Sequence, residues 1–271
     1  MSLCLYTSWF STFARKAALG LELKGLPYQA VDGLRRDFRP QLLALNPRAE
    51  VPVLTDGDLV VVNSSDILQY LDWRYPERPL YPEAIDERVA ARALERLADH
   101  RFDPIVVDCS YWKWANRHDE PPAGLLAAGQ ADLERTFDPL ESGLASRQKP
   151  WPFGEPGIVE CAWFPNLVAV RPLGFTIDEA RYPAILGWLR AMRGHQVFAN
   201  DARRTAEFLK KLSGSDHELT RLFWSGDRME WLMSRGFHPW LAAEIEAGRA
   251  AFPEYGADAK HVEPLVERAL G

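Results

Sequence analysis

Short apolar runs alternate with amphipathic stretches up to about residue 80. Ser2–Tyr6 (SLCLY) reads as a buried strand. Ser11–Lys24 has helical spacing and ends at Gly25, a helix with a glycine stop. Pro27–Val31 (PYQAV) reads as a second strand, and RPQLLALNP as a short helix ended by Pro47. VPVL and LVVV flank Asp56-Gly57, and Asp-Gly between apolar runs is a strong hairpin signal. Ser64–Tyr75 follows as a helix, with Ile67, Leu68 and Leu71 on one face and Ser64 as its expected N-cap. The order is β-α-β-α-β-β-α. Its opening β-α-β unit implies a parallel pair joined by a right-handed crossover. The hairpin then extends that sheet in the antiparallel sense.

The rhythm changes after the proline-rich stretch YPERPLYPEA (Tyr75–Ala84), which reads as a linker. ERVAARALERLADHRFDPIV, GLLAAGQADLERTFDPLESGL, GIVECAWFPNLVAV and YPAILGWLRAMRGH all show helical spacing, and no clear strand appears. A second break falls at KLSGSDHE, where Ser215–Glu218 fits a capping box and predicts that a helix restarts. Beyond it lies a helical tail with Trp224, Trp231 and Trp240. The expected division is an α/β domain over 1–80, an all-α domain over 85–204, and a helical extension over 205–271. No repeat or low-complexity tract interrupts this plan.

Composition narrows the function classes. A chain of 271 residues suggests about two domains. Its 47 % apolar content supports a real core. A net charge of -6 argues against a nucleic-acid partner, which usually meets a basic face. The cluster Arg35, Arg36 and Arg39 reads as a solvated loop. The first charges, Arg15 and Lys16, follow the apolar residues, so no secretory leader is expected. The most apolar stretch, GIVECAWFPNLVAV, is too short to span a membrane and carries Glu160 and Asn166. Cys4, Cys109 and Cys161 are too scattered for a disulfide framework, which fits a cytoplasmic setting. The 6 histidines show no metal-ligand spacing, and no metal is expected.

The chemistry is concentrated in LYTSWFSTFARKAALGLELKGLPY (Leu5–Tyr28). Thr7, Ser8, Ser11 and Thr12 sit between a strand and a helix start. Ser11 reads as a plain N-cap. It also reads as part of an anion site, because a helix start aims unpaired N–H groups and the positive dipole end at one spot. A thiolate is such an anion. A free thiol titrates near about 8.5, and ionising it at neutral pH needs about 2.7 kcal/mol. One hydrogen bond to a charged group gives about 1.5–3 kcal/mol. A helix N-terminus adds about 0.3–1 kcal/mol. A serine at a helix start is therefore sufficient in size.

Two further segments belong with it. Val51-Pro52 opens an apparent internal strand, where proline cannot donate to the ladder. Either the bond is cis and exposes the Val51 backbone to a peptide-like ligand, or the strand is an edge with a trans proline. In NSSDILQYL (Asn63–Leu71) the helix start is a plain cap or a carboxylate site.

Together, LYTSWFSTFARKAALGLELKGLPY, LLALNPRAEVPVL and NSSDILQYLDWRYP resemble the glutathione transferase superfamily, in order and spacing. The pattern is nearest to the serine-type, zeta-like and bacterial members. GEPGIVECAWFPNLVAV resembles that family's buried helix, with Gly157 at the capping position and Glu160 three later. The tail beyond Arg204 is outside the resemblance.

The resemblance implies a thioredoxin-like first domain with a cis Val51-Pro52, followed by an all-helical domain. It implies glutathione as co-substrate, bound by Val51, Pro52, Asn63 and Ser64. It places the thiol-activating hydroxyl at Ser11, with Ser8 as the alternative. The glutaredoxin-like CPYC position reads STFA, so glutathione's own sulfur is the expected nucleophile. A homodimer and a small apolar electrophile are the expected partners. Trp9, Phe10, Tyr111, Trp112 and Trp114 are candidates for the electrophile's wall, and the same aromatics also read as core.

Three positions depart from the family pattern. Asn63 replaces an acid or Gln, which removes charge assistance toward an ammonium. Glu50 replaces a Lys or Gln and repels a glycyl carboxylate unless it faces solvent, with Arg48 or the Arg35/Arg39 cluster as substitute cations. Gly157 replaces a Ser or Thr. Two rival functions stay open: an interaction protein on this fold, and a glutathione-dependent isomerase, lyase or reductase.

Overall fold

A computed structural model describes residues 3–114, 119–147, 149–212, 221–223, 225–254 and 256–270. Four strands form the first sheet: β1 (Leu3–Thr7), β2 (Tyr28–Asp32), β3 (Val53–Asp56) and β4 (Leu59–Val62), in the order β2-β1-β3-β4. β1 pairs parallel with β2, and β3 pairs antiparallel with both β1 and β4. β1 alternates buried Leu3, Leu5 and Thr7 with half-buried Cys4 and Tyr6, as one strand between two layers should. The hairpin turns at Gly57, whose φ of 59° suits glycine. β3 begins at Val53, after the proline, so Pro52 removes no ladder donor.

Helix α1 (Thr12–Leu23) is buried on almost every side from Ala14 to Leu21. It lies between the sheet and α7 (Ile158–Val170). Arg15 and Lys16 are therefore interior, and each finds an acid. Arg15 donates to Asp201 Oδ2 from Nε at 3.0 Å and from Nη2 at 2.5 Å. Lys16 Nζ meets Glu95 Oε1 at 2.6 Å and Asp99 Oδ2 at 2.5 Å, and donates to Ser65 Oγ at 2.9 Å. Buried charges persist only with such partners. At Gly20 an added Cβ would run into the Leu68 side chain, so α3 (Ser64–Arg74) packs close against α1 there and Leu68 would have to shift to admit a side chain.

The short α2 (Arg39–Leu45) precedes the Val51-Pro52 bond, which is cis. Asn63, at φ 67°, is the N-cap of α3. The expectation that Ser64 caps this helix is thus corrected. Positive φ at Asn63 turns the chain one residue early, and Ser64 becomes the first helical residue.

The rest of the described chain is nearly all helical. α4 (Ile85–Leu97) passes through a wider π turn (Ala98–Phe102) into α5 (Asp103–Trp114). α6 (Leu125–Ala145), α7, α8 (Pro183–Gly194) and α9 (Gln196–Leu212) follow. α9 runs unbroken through residue 204. α7 is apolar on all sides and central, as a fully buried helix must be. Gly157 opens it because an added Cβ would meet the Leu80 carbonyl oxygen at 2.3 Å. That contact explains why a Ser or Thr is missing from this cap.

The tail holds α10 (Gly226–Ser234), α11 (His238–Glu246) and α12 (Ala257–Leu270). It also holds a short parallel pair, β5 (Arg221–Leu222) with β6 (Ala250–Ala251). These strands correct the expectation of a purely helical tail. Two-residue ladders leave no readable periodicity. The predicted Ser215–Glu218 capping box and Trp224 lie outside the described residues.

Candidate active site

Sheet register assembles the candidate site. Tyr6 pairs with Val53, and Val53 pairs with Val62. One step along each strand, Thr7, Pro52 and Asn63 come abreast at the same end of the sheet. Adjacent strands lie about 4.8 Å apart, so this edge is roughly 10 Å wide. The turn from β1 into α1 sits at one side and the start of α3 at the other.

The turn is tied by Ser11 N donating to Ser8 O at 3.0 Å. Ser11, at φ -79° and ψ 122°, is the N-cap of α1, and its Oγ accepts from Ala14 N at 3.2 Å. The cap occupies an acceptor lone pair and leaves the hydroxyl proton available. The first intrahelical bond is Arg15 N to Ser11 O, so the Thr12 and Phe13 amides precede the ladder. Ser8 is buried, and its Oγ lies 3.5 Å from Phe10 N. Ser11 is only half-buried and is the more accessible hydroxyl.

At the other side, Asn63 Nδ2 donates to Asp66 Oδ2 at 3.1 Å, which puts a carboxylate beside the residue that lacks one. Asp66 stands in the first turn of α3 and was not singled out in the sequence; three residues after Asn63 is the spacing that could have revealed it. Glu50 Oε1 accepts from Arg48 Nε at 2.7 Å, and both are half-buried. The expected repulsion from Glu50 is therefore offset locally. Arg35 instead pairs with Asp37 on the exposed loop.

The aromatic candidates divide. Trp9 is half-buried, with the Arg204 guanidinium 4.4 Å from its ring centroid, and Arg204 is in turn paired with Glu22. Phe10 is half-buried beside the turn. Tyr111 packs as core, at 2 % exposure. Trp112 is half-buried, and Trp240 of the tail covers it at 5.2 Å between centroids. Tyr111 and Trp112 lie eight and nine residues beyond Asp103, or about 12–14 Å along α5. The Trp114 side chain lies outside the described residues. A cavity of about 180 Å³ between Pro79–Glu83 and 153–160 is lined by none of these candidates. The candidate residues gather at one end of the sheet and not at that cavity.

A βαβαββα sheet domain with a cis proline before its third strand, joined to a helical domain, defines a thioredoxin-like transferase fold. The chain belongs to the glutathione S-transferase family. The family's N-terminal domain matches residues 5–79 and its C-terminal domain residues 123–191. Pyrimidodiazepine synthase of Drosophila melanogaster is 30 % identical over 77 % of this chain and 85 % of its own. Glutathione S-transferase 1 of Dianthus caryophyllus is 28 % identical over 76 % and 93 % respectively. Among solved structures, maleylacetoacetate isomerase of Anaeromyxobacter dehalogenans, with glutathione bound in its active site, has 27 % identity and a TM-score of 0.58. That likeness covers 74 % of this chain and 94 % of the other.

Proposed function

We propose that this protein is a glutathione-dependent transferase. Glutathione lies along the sheet edge, with its peptide backbone at Val51-Pro52 and its γ-glutamyl end at Asn63-Ser64. Its sulfur sits at Ser11. The width of that edge carries the reading. A tripeptide in extended form spans roughly 10 Å, about the two strand spacings that separate β1 from β4 across β3. Ser11 accepts from the helix and gives its proton to the sulfur, while the Thr12 and Phe13 amides add the positive end of α1. Ser8 ranks second because its hydroxyl is buried. Asp66 supplies, through Asn63, negative charge near the γ-glutamyl ammonium.

The ionised sulfur attacks a small apolar electrophile held beside the helical domain, where Trp9, Phe10 and Trp112 form the apolar side. The catalytic gain comes from thiol activation and proximity. The protein acts as a homodimer in the cytoplasm. Exposed Trp73, Ile85 and Val89 on α3 and α4 favour the dimer.

Retention on immobilised glutathione and turnover of a generic aryl halide test the reading. Ser11→Ala is expected to lower turnover by roughly 100-fold or more, the loss of one oxyanion-type donor. It should keep most of the retention. An unchanged Ser11→Ala, or a wild type with neither retention nor turnover, sinks the reading and favours an interaction protein. The likeness to maleylacetoacetate isomerase favours a second reading, in which sulfur attack is the first step of an isomerisation. Product analysis separates the two: a stable thioether means transfer, and recovered glutathione with a rearranged substrate means isomerisation.

A further inference from the structure

We infer that the C-terminal extension is part of this site, and that Arg228 of α10 is a positioning residue acting through Asp103 on the start of α1. The inference rests on the glutathione reading only for the sulfur it tunes. The contacts stand by themselves. Asp103 opens α5 and is 1 % exposed. Its Oδ1 accepts from Thr12 Oγ1, and its Oδ2 accepts from Arg228 Nη2 at 3.3 Å. Thr12 is the first residue of α1 and follows Ser11 directly. One buried carboxylate thus ties the helix start to the tail. A carboxylate shut away from water stays charged only when it is paired.

The tail's hold on this face is specific. Asp227 Oδ2 meets His100 Nδ1 at 2.7 Å, and Glu230 meets Arg101 at 3.0 Å. Trp231 Nε1 donates to Asp132 Oδ2 at 2.9 Å, and Arg235 donates to both Asp132 oxygens at 2.6 and 2.7 Å. Residues 227, 228, 230, 231 and 235 share one side of α10, so together they fix its register on the helical domain. Arg228 is delivered to Asp103 by that register. Residue 228 lies beyond both family matches, which end at 191.

Two consequences follow for a sulfur at Ser11. Arg228 holds Asp103, which holds Thr12, so the donors of the first turn keep their direction. Arg228 also balances the Asp103 charge, which otherwise opposes a thiolate at the same helix start. The charged groups around Asp103 include Arg228 on α10, Asp99 on the preceding turn, Lys16 of α1 with Glu95 of α4, and the buried Asp108 on α5. Removing Arg228 makes this group more negative by one charge.

The test uses the full chain with Arg228→Met, Arg228→Gln and the double variant Arg228→Met/Asp103→Asn. Amide exchange at Ala14 and Arg15, the first two amides bonded to Ser11, reads the helix start, and ultraviolet titration of bound glutathione reads the thiolate. Arg228→Met is expected to speed exchange at Ala14 and Arg15 roughly tenfold while α7 amides stay as in the wild type. It should also raise the thiol midpoint by about half a pH unit, a roughly threefold loss of thiolate below the midpoint. Adding Asp103→Asn should return the midpoint toward the wild-type value. Arg228→Gln keeps a donor without charge. It should raise the midpoint while leaving exchange nearly unchanged, and it serves if the Met variant does not fold. A wild-type midpoint and wild-type exchange in the Met variant, or a wild-type midpoint in the Gln variant, overturn the inference. A wild type that binds no glutathione sinks the function reading, and exchange alone then decides the tie between tail and helix.

Discussion

Glu160 holds a titrating carboxyl where water does not reach. Burial pushes it up to about 7, against the pull of the Gly157 and Glu160 amides and the Trp188 indole. Its two oxygens accept from Gly157 N at 2.8 Å and Trp188 Nε1 at 3.1 Å. An unfolded glutamate titrates near about 4.3. Between these values the folded chain keeps a proton that the unfolded chain has lost. Stability is therefore fully supported below about 4.3 and declines as pH rises through about 7, by on the order of 3 kcal/mol. Glu160→Gln should remove that slope. It should also cost about 1–2 kcal/mol at pH 5, because one amide oxygen replaces two acceptors. Urea midpoints at pH 5, 6, 7 and 8 check both statements. A variant with the wild-type slope would assign the pH dependence elsewhere. The capping role of Glu160 was legible from its place three residues after Gly157. The reason for glycine at 157 was not, because the Leu80 carbonyl approaches from a segment far away in sequence.

Helix α1 shows where local pattern stops being informative. Its spacing, its Ser11 cap and its Gly25 stop are sequence-local, and the helix lies where they place it. The hairpin at Asp56-Gly57 was legible for the same reason. Arg15 and Lys16 look like an ordinary solvated pair in the sequence. They are interior because the helix is packed from both sides, and their acidic partners come from α4, the π turn and α9, between 79 and 186 residues away in the chain. The Asp103–Thr12 contact is equally non-local. So the edge formed by Ser11, Val51-Pro52 and Asn63-Ser64 could be read from the sequence, while its supports from the helical domain and tail could not. The Arg15–Asp201 pair gives this a measurable form, since it joins α1 to α9 at 4 % and 0 % side-chain exposure. Asp201→Ala should cost about 3–5 kcal/mol, because it leaves a buried guanidinium without its acid. Arg15→Met/Asp201→Leu should recover most of that loss. Urea unfolding with an unchanged slope reads both, and a near-neutral Asp201→Ala would show the pair to be dispensable.

The proposed function gives two sets of apolar side chains separate roles, and experiment can separate them. On one side, Trp73 stands in the last turn of α3 at 74 % exposure, and Ile85 and Val89 stand one turn apart on α4 at 81 % and 65 %. Apolar side chains this exposed on neighbouring elements call for a partner. On the other side, α10 docks on α5 and Trp240 covers Trp112. Trp73→Glu places a charge in the first surface and touches nothing in the second. It should convert a species of twice the chain mass to a monomer in sedimentation equilibrium, with glutathione retention kept. Trp240→Ala uncovers the Trp112 ring and leaves α3 and α4 alone. It should preserve the dimer and shift the preference among electrophiles toward bulkier apolar ones, by roughly the 10-fold that one apolar contact supplies. α10 docks on α5, whose first residue, Asp103, accepts from Thr12, so loss of α10 is predicted to register in chemistry before it registers in assembly. Should Trp240→Ala instead dissociate the dimer while leaving substrate preference unchanged, the extension would be an assembly element and Trp112 a core residue.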